Sequence, residues 1–220
     1  MNLLRKYIRG LLSEAAYGIQ DMSDNVYIAI EKFHPRAVRI YYSDADGAQY
    51  EARQFGHRVQ NIVKLDEPEG KILIVDLQDR EHGPCAGAWK VSSANAKKGW
   101  GPLLYDVAIE YASLNAGGLV ADRDVVSPNA RRVWDYYLSG RSDVTSHQLD
   151  NLQGKLTPEI EEDDCDQHVA TFDVRRPTGQ KYGAREKTFV DWVKSPLSKR
   201  YTKEPSTMTA LRAAGRLIEQ

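Results

Sequence analysis

A short basic turn stands directly before the most clearly patterned helical segment of the sequence. Residues 97–101 read Lys-Lys-Gly-Trp-Gly, and Pro102 follows. Apolar residues then recur over 102–115 at a spacing that predicts an amphipathic helix laid on a sheet. A helix N-terminus presents unpaired N–H groups and the positive end of the helix dipole, and glycines let a ligand approach the backbone closely. The segment therefore predicts an anion site, for which phosphate is the usual ligand.

The spacing of the glycines indicates which known type of phosphate-binding loop this segment resembles. A P-loop needs Gly-Lys-Ser/Thr, which is absent here, and a dinucleotide fingerprint needs a third glycine after Gly99 and Gly101. Residues 96–101 resemble instead the pyrophosphate loop of GNAT-type N-acetyltransferases, whose pattern is Gln/Arg-x-x-Gly-x-Gly/Ala. The segments "GAWKVSS", "GGLVAD" and "SPNARRVWDYYLSG" fall where that family has its fourth strand, fifth strand and following helix. The resemblance covers residues 70–141.

The resemblance implies a site for acetyl-CoA and direct transfer of the acetyl group to an amine. The turn would hold the pyrophosphate, and the strand 89–93 would pair with the pantetheine arm. The cofactor-binding residues it implies are Val91, Lys97, Lys98, Gly99, Trp100 and Gly101. In that family a tyrosine on the later helix often protonates the departing thiolate. Tyr136, seven residues after Asn129, has the common spacing, but aligning Ser127 instead puts Trp134 in that place, and an indole cannot serve as the acid.

A second catalytic candidate lies at the end of a predicted strand. Asp76 closes the apolar run 71–77, where an acid could deprotonate an amine directly or through water. The alternative for Asp76 is an ordinary surface charge at a strand end.

The whole chain also resembles a group of GNAT-like tailed-bacteriophage proteins. The shared features are the segments "LLRKYIRGLLSEA", "GPLLYD", "VWDYYL" and "KEPSTMTALRAAGRLI". This implies a phage product, located in the cytoplasm of an infected bacterium or in the virion, and implies no activity. Two hypotheses follow: an N-acetyltransferase, or a catalytically inactive protein of GNAT fold that serves as a virion component or binds a host factor. Ala96 at the first loop position and Pro102, which removes one N–H, favour the second hypothesis.

Two pairs of residues have the types and local spacing of zinc ligands. They are His82-x-x-Cys85 and Cys165-x-x-His168, and the sequence does not show whether the pairs meet. The alternative is two ordinary cysteines, which make no disulfide framework, in a reducing cytoplasmic setting.

The elements around the turn predict an α/β fold, a GNAT-like mixed and mostly antiparallel sheet flanked by helices. The predicted strands are 25–30, 37–42, 59–65, 71–77, 85–94, 118–122 and 168–174. Helices are predicted at 2–20, 102–115, from Ser127 to Gly140, and at 207–218. This gives an N-terminal amphipathic helix or arm (1–24), a GNAT-like core (25–141), and an acidic loop with a C-terminal extension and terminal helix (142–220).

Charge and hydropathy limit the partners. The formal charge is −1, so no global field draws the chain to nucleic acid or to an anionic membrane, although the basic loop 175–187 leaves local nucleic-acid contact open. No apolar run has the length of a membrane span. The N-terminal helix either packs on its own domain or docks on a partner protein. The acidic segment 159–166 is either solvated or docks a basic partner or an amine substrate.

Overall fold

The computed structural model describes residues 17–44, 68–77, 82–122, 126–167 and 192–220. Within these residues the chain forms eight β-strands and three α-helices. The strands are β1 (Tyr27–His34), β2 (Ala37–Ser43), β3 (Gly70–Asp76), β4 (Trp89–Ala96), β5 (Leu119–Val120), β6 (Val144–Gln148), β7 (Lys199–Lys203) and β8 (Leu217–Glu219). The helices are α1 (Gly101–Asn115), α2 (Pro128–Ser139) and α3 (Ser206–Ala213).

The strands form one mixed, mostly antiparallel sheet. Their order is β6-β7-β5-β4-β3-β2-β1-β8. β1 pairs with β2, and β7 pairs with both β5 and β6, all antiparallel, whereas β4 pairs with β5 and β1 with β8 in parallel. Parallel neighbours need a crossover connection, which α1 provides between β4 and β5. The predicted α/β class with a mostly antiparallel sheet is confirmed.

The chain clusters into two compact units that are discontinuous in sequence. Among the described residues, unit 1 consists of 17–44, 68–74, 92–110 and 205–220, and unit 2 consists of 75–77, 82–91, 111–122, 126–167 and 192–204. Each strand or helix that crosses a boundary contributes residues to both units.

The core of unit 1 is built on the hairpin of β1 and β2. Its β-branched side chains are fully buried, among them Ile28, Val38 and Ile40. Arg216, just before β8, donates to the carbonyls of Met22 and Ser23 at 2.8 Å each, and also contacts Asp24. These bonds join the C-terminal segment to the start of the described chain.

The core of unit 2 contains aromatic side chains from α2 and β7. Trp134 and Tyr137 are both 1% exposed. Trp134 stacks on Tyr201 of β7 with ring centroids 5.1 Å apart. The helix also begins where its sequence predicts, because the Ser127 hydroxyl accepts the Ala130 N–H at 3.2 Å.

The C-terminal prediction is wrong in part. The helix predicted at 207–218 ends at Ala213, and the chain then turns through Gly215, which has a φ of 65°. Residues 217–219 form β8 and pair with β1. A local helical pattern could not reveal this ending, because the hydrogen bonds that replace the last helical turn go to residues 28–30.

Several predicted elements lie outside the described residues: helix 2–20 before Tyr17, strands 59–65 and 168–174, and the basic loop 175–187. No helix in the described part of the chain combines the length and the apolar character needed to cross a bilayer.

Candidate functional site

The turn between β4 and α1 is closed by main-chain hydrogen bonds within unit 1. The Lys97 N–H donates to the Glu69 carbonyl at 2.8 Å, and the Trp100 N–H donates to the Lys97 carbonyl at 3.0 Å. Gly99 has a φ of 89°, a left-handed conformation that glycine adopts without a Cβ clash. Because the turn itself uses the Trp100 N–H, a ligand would depend on the N–H groups of the neighbouring residues.

Two tyrosines, Tyr17 and Tyr42, pack against Trp100 and donate hydrogen bonds to the turn. The Trp100 side chain is 1% exposed and stacks on Tyr17, with ring centroids 4.5 Å apart, while Tyr42 meets its edge at 5.7 Å. The Tyr17 N–H donates to the Gly99 carbonyl at 3.1 Å, and the Tyr42 hydroxyl donates to the Trp100 carbonyl at 2.8 Å. Burial, assisted by the nearby charge of Asp106, raises the pKa of Tyr42 far above its ordinary value, so this hydroxyl keeps its proton.

Among the described residues, little surrounds the position where Gly101 would carry a side chain. This residue has no left-handed backbone, and a Cβ built on it would meet only the Ala96 Cβ, at 3.7 Å, among the described residues. The N–H groups of Gly99 and Gly101 find no acceptor within the described residues. Lys97 is half-buried and Lys98 is exposed, so two basic residues lie next to these main-chain donors.

The strand that leads into the turn is exposed along its second half. Trp89 and Val91 of β4 are buried, but the following four residues, 92–95, are all exposed. The parallel pairing of β4 with β5 comprises Trp89 and Lys90. Unit 1 therefore presents an extended segment of four exposed residues immediately before the glycine turn.

Three predicted site residues belong to unit 2. Val91 is 6% exposed, so its side chain is part of the core and a ligand could use only its main chain. Tyr136 is half-buried on α2, and its ring contacts the rings of Tyr137 at 5.5 Å and the guanidinium of Arg141 at 5.8 Å. Asp76 is half-buried at the end of β3. The catalytic roles of Tyr136 and Asp76 stay sequence-based predictions.

No protein-family model, curated protein or solved structure matches the chain. The site is therefore defined by the chain's own residues in unit 1: the exposed strand 92–96, the turn 97–100 and the start of α1. These three parts are consecutive in the sequence, and they occur in the order that the acetyltransferase resemblance predicts.

The expectation that Cys85 and Cys165 form no disulfide is wrong. Cys85 and Cys165 form a disulfide with an S–S distance of 2.10 Å, so neither thiolate is left for zinc, and His168 lies outside the described residues. The two segments meet because the Cys85 N–H donates to the Asp164 carbonyl and the Asp166 N–H to the His82 carbonyl, both at 2.9 Å. Both cysteines are fully buried, which favours a structural bond over a reactive pair.

The acidic region of unit 2 is more ordered than a solvated loop. The buried Asp150 carboxylate accepts main-chain N–H groups from Asn151 and Leu156 at 2.6 Å and from Thr157 at 2.8 Å. Burial works to raise the pKa of Asp150, but these donors outweigh it and leave the pKa lowered. The Thr157 hydroxyl also donates to the buried Asp163, whose pKa burial raises.

The same loop brings three carboxylates together. Oxygens of Asp150, Asp163 and Asp164 lie within 4.8 Å of one another. Both Asp150 oxygens accept main-chain donors, so the cluster supports the loop from inside. The exposed acidic residues are Glu159, Glu161 and Glu162, and docking of a basic partner on them stays a prediction.

A buried carboxylate that the sequence analysis missed lies on α1. Glu110 is 0% exposed and accepts the N–H groups of Thr207 at 2.7 Å and Met208 at 2.6 Å, which begin α3. α3 has no side-chain cap from its own flanking residue, so Glu110 supplies that cap from another helix of unit 1. The sequence does indicate that Glu110 is buried, because it lies seven residues after Leu103 and three after Val107, on the apolar stripe of the helix.

Proposed function

We propose that this protein binds acetyl-CoA and transfers its acetyl group to an amine, as a GNAT-type N-acetyltransferase. The observation that carries the proposal is the continuous segment 92–101 of unit 1, in which an exposed strand leads into a glycine turn and a helix N-terminus. These parts match the two chemically different ends of the cofactor.

The exposed strand suits the pantetheine arm. That arm is an extended chain with two amide groups, and it can pair with main-chain N–H and C=O groups as an added strand does. The turn suits the diphosphate, because the N–H groups of Gly99 and Gly101 and the dipole of α1 all favour negative charge. Lys97 and Lys98 add the countercharge.

The transfer itself would be a direct displacement. The amine nitrogen attacks the thioester carbonyl, a C–N bond forms, and the C–S bond breaks as the thiolate leaves. In this proposal Asp76 takes the proton of the amine, directly or through water, and Tyr136 donates its phenolic proton to the thiolate.

Two substitutions at one position test cofactor binding. Gly101→Ala adds only a Cβ, which among the described residues would meet the Ala96 Cβ at 3.7 Å, whereas Gly101→Glu places a carboxylate at the proposed diphosphate position. A like charge at about 4 Å and an effective dielectric constant of about 20 costs about 4 kcal/mol, so we expect Gly101→Glu to weaken CoA binding at least ~10-fold. An acidic residue in a first helical turn does not destabilise the helix, so the fold should persist.

The assay is the rise in melting temperature on adding CoA, since a ligand that binds only the folded state stabilises it. We expect a rise for the unaltered protein and for Gly101→Ala, and little or none for Gly101→Glu. Absence of any rise for the unaltered protein at millimolar CoA would refute the proposal. Binding of CoA without acetyl transfer would support the binding site and refute the acetyltransferase activity.

The second candidate is a virion or host-interaction protein of the same fold that has lost the chemistry. The disulfide between Cys85 and Cys165 favours it, because disulfides persist outside reducing cytoplasm. Pro102 and the internal use of the Trp100 N–H, which leave fewer donors in the turn, point the same way. Mass spectrometry of purified virions would support the virion role if the protein is abundant there, and would exclude that role if the protein is absent.

A further inference from the structure

We infer that Tyr42 is a positioning residue for the diphosphate: with Tyr17, it fixes the orientation of the turn so that the Gly101 N–H faces outward before any ligand arrives. The inference rests on the proposed function and identifies what sets the affinity of that site.

The orientation follows from the geometry of one peptide group. The Trp100 C=O and the Gly101 N–H belong to the same planar unit, and in a trans peptide they point in opposite directions. The Trp100 carbonyl accepts the hydroxyl of Tyr42, which is 1% exposed, so that carbonyl is directed into the core. The Gly101 N–H is therefore directed away from Tyr42, and among the described residues it has no acceptor.

The preceding peptide is held as well. The Gly99 carbonyl accepts the Tyr17 N–H at 3.1 Å, and the Trp100 N–H of that same peptide donates back to Lys97. The Tyr17 ring covers the Trp100 indole at an interplanar angle of 23°. Each of the two peptide groups that flank Trp100 is thus held by a hydrogen bond from Tyr17 or Tyr42.

A fixed donor binds an anion better than a donor that must first be oriented, because the ordering cost is already met in the free protein. Removing the Tyr42 hydroxyl frees the Trp100–Gly101 peptide to rotate and leaves a buried carbonyl without its donor. The net worth of one such hydrogen bond corresponds to about 3- to 10-fold in affinity, which is the effect we expect on the diphosphate.

Tyr201 provides the matched control. It too is a fully buried tyrosine whose hydroxyl donates to a backbone carbonyl, that of Pro196 at 2.7 Å, but it lies in unit 2. Tyr42→Phe and Tyr201→Phe therefore remove the same kind of bond, one beneath the turn and one elsewhere.

The experiment is calorimetric titration of both variants and the unaltered protein with CoA, inorganic pyrophosphate and pantetheine, with thermal melts of each. We expect Tyr42→Phe to weaken CoA and pyrophosphate about 3- to 10-fold and to leave pantetheine unchanged, and Tyr201→Phe to leave all three within about twofold. General damage to the fold would not spare pantetheine.

Two failures can be told apart. Equal CoA affinity of Tyr42→Phe and the unaltered protein would overturn this inference alone, whereas no CoA binding by the unaltered protein would overturn the proposed function and the inference with it. If Tyr42→Phe does not fold, an NMR titration of the unaltered protein decides. The Gly101 amide resonance should then move on adding pyrophosphate, and an unmoved resonance overturns the inference.

Discussion

Replacing Glu110 should destabilise the protein far more than a single surface acid would. Its carboxylate is fully buried and accepts two short main-chain hydrogen bonds from Thr207 and Met208, with the Ser206 hydroxyl at 3.4 Å. Hydrogen bonds to a charged group contribute about 1.5–3 kcal/mol each, and part of that is offset because the variant no longer buries a charge. We expect Glu110→Ala to lower the free energy of unfolding by about 2–4 kcal/mol, and Glu110→Gln, which retains one acceptor, by about half as much.

Thermal and urea unfolding measure this directly. For a chain of this length the loss corresponds to a melting temperature lower by about 5–12 °C. The matched control is Glu204→Ala, because Glu204 is exposed and adjacent to α3 and should change stability by less than about 0.5 kcal/mol. If Glu110→Ala melts within 1 °C of the unaltered protein, as a rough limit, the cap from α1 does not hold α3 and the reasoning fails.

Three further predictions concern unit 2. The Cys85–Cys165 disulfide closes a loop of 80 residues, so reduction should lower the free energy of unfolding by about 4 kcal/mol, and equal urea midpoints with and without reductant would exclude that contribution. The Arg141 guanidinium lowers the pKa of Asp143 to about 2, below its ordinary 3.8, so the stabilisation from this pair is present above pH 4 and is lost as the pH falls through about 2. The free energies of unfolding of the unaltered protein and Asp143→Asn should differ by at most about 1 kcal/mol, because the Asp143 side chain is 46% exposed. That difference in unfolding free energy should vanish in acid. Tyr136→Phe should lower the rate of acetyl transfer and leave CoA affinity unchanged, and an unchanged rate would remove Tyr136 as the acid.

Elements with strong local signals could be predicted from the sequence. The predicted helix 102–115 and the observed α1, Gly101–Asn115, differ by one residue, because glycine and proline mark its start and an apolar stripe runs along it. The start of α2 at Pro128 follows from Ser127 in the same way. The glycine turn and its place between strand and helix could be predicted for the same reason.

Features that depend on partners distant in the chain could not. β8 forms by pairing with β1, which lies nearly two hundred residues earlier in the chain. Likewise, nothing in the sequence near Cys85 indicates that Cys165 will meet it. The role of Tyr42 beneath the turn is equally hidden, since it reads only as an apolar position of β2. A charged residue on an apolar stripe, such as Glu110, does indicate from the sequence alone that it has a buried partner elsewhere in the chain.

The proposed function requires that the main-chain donors at the start of α1 bind a diphosphate. Calorimetric titration of CoA into the unaltered protein tests this most directly. We expect saturable binding at one site, with inorganic pyrophosphate competing for it. No measurable heat at millimolar CoA, or binding that pyrophosphate leaves untouched, would contradict it.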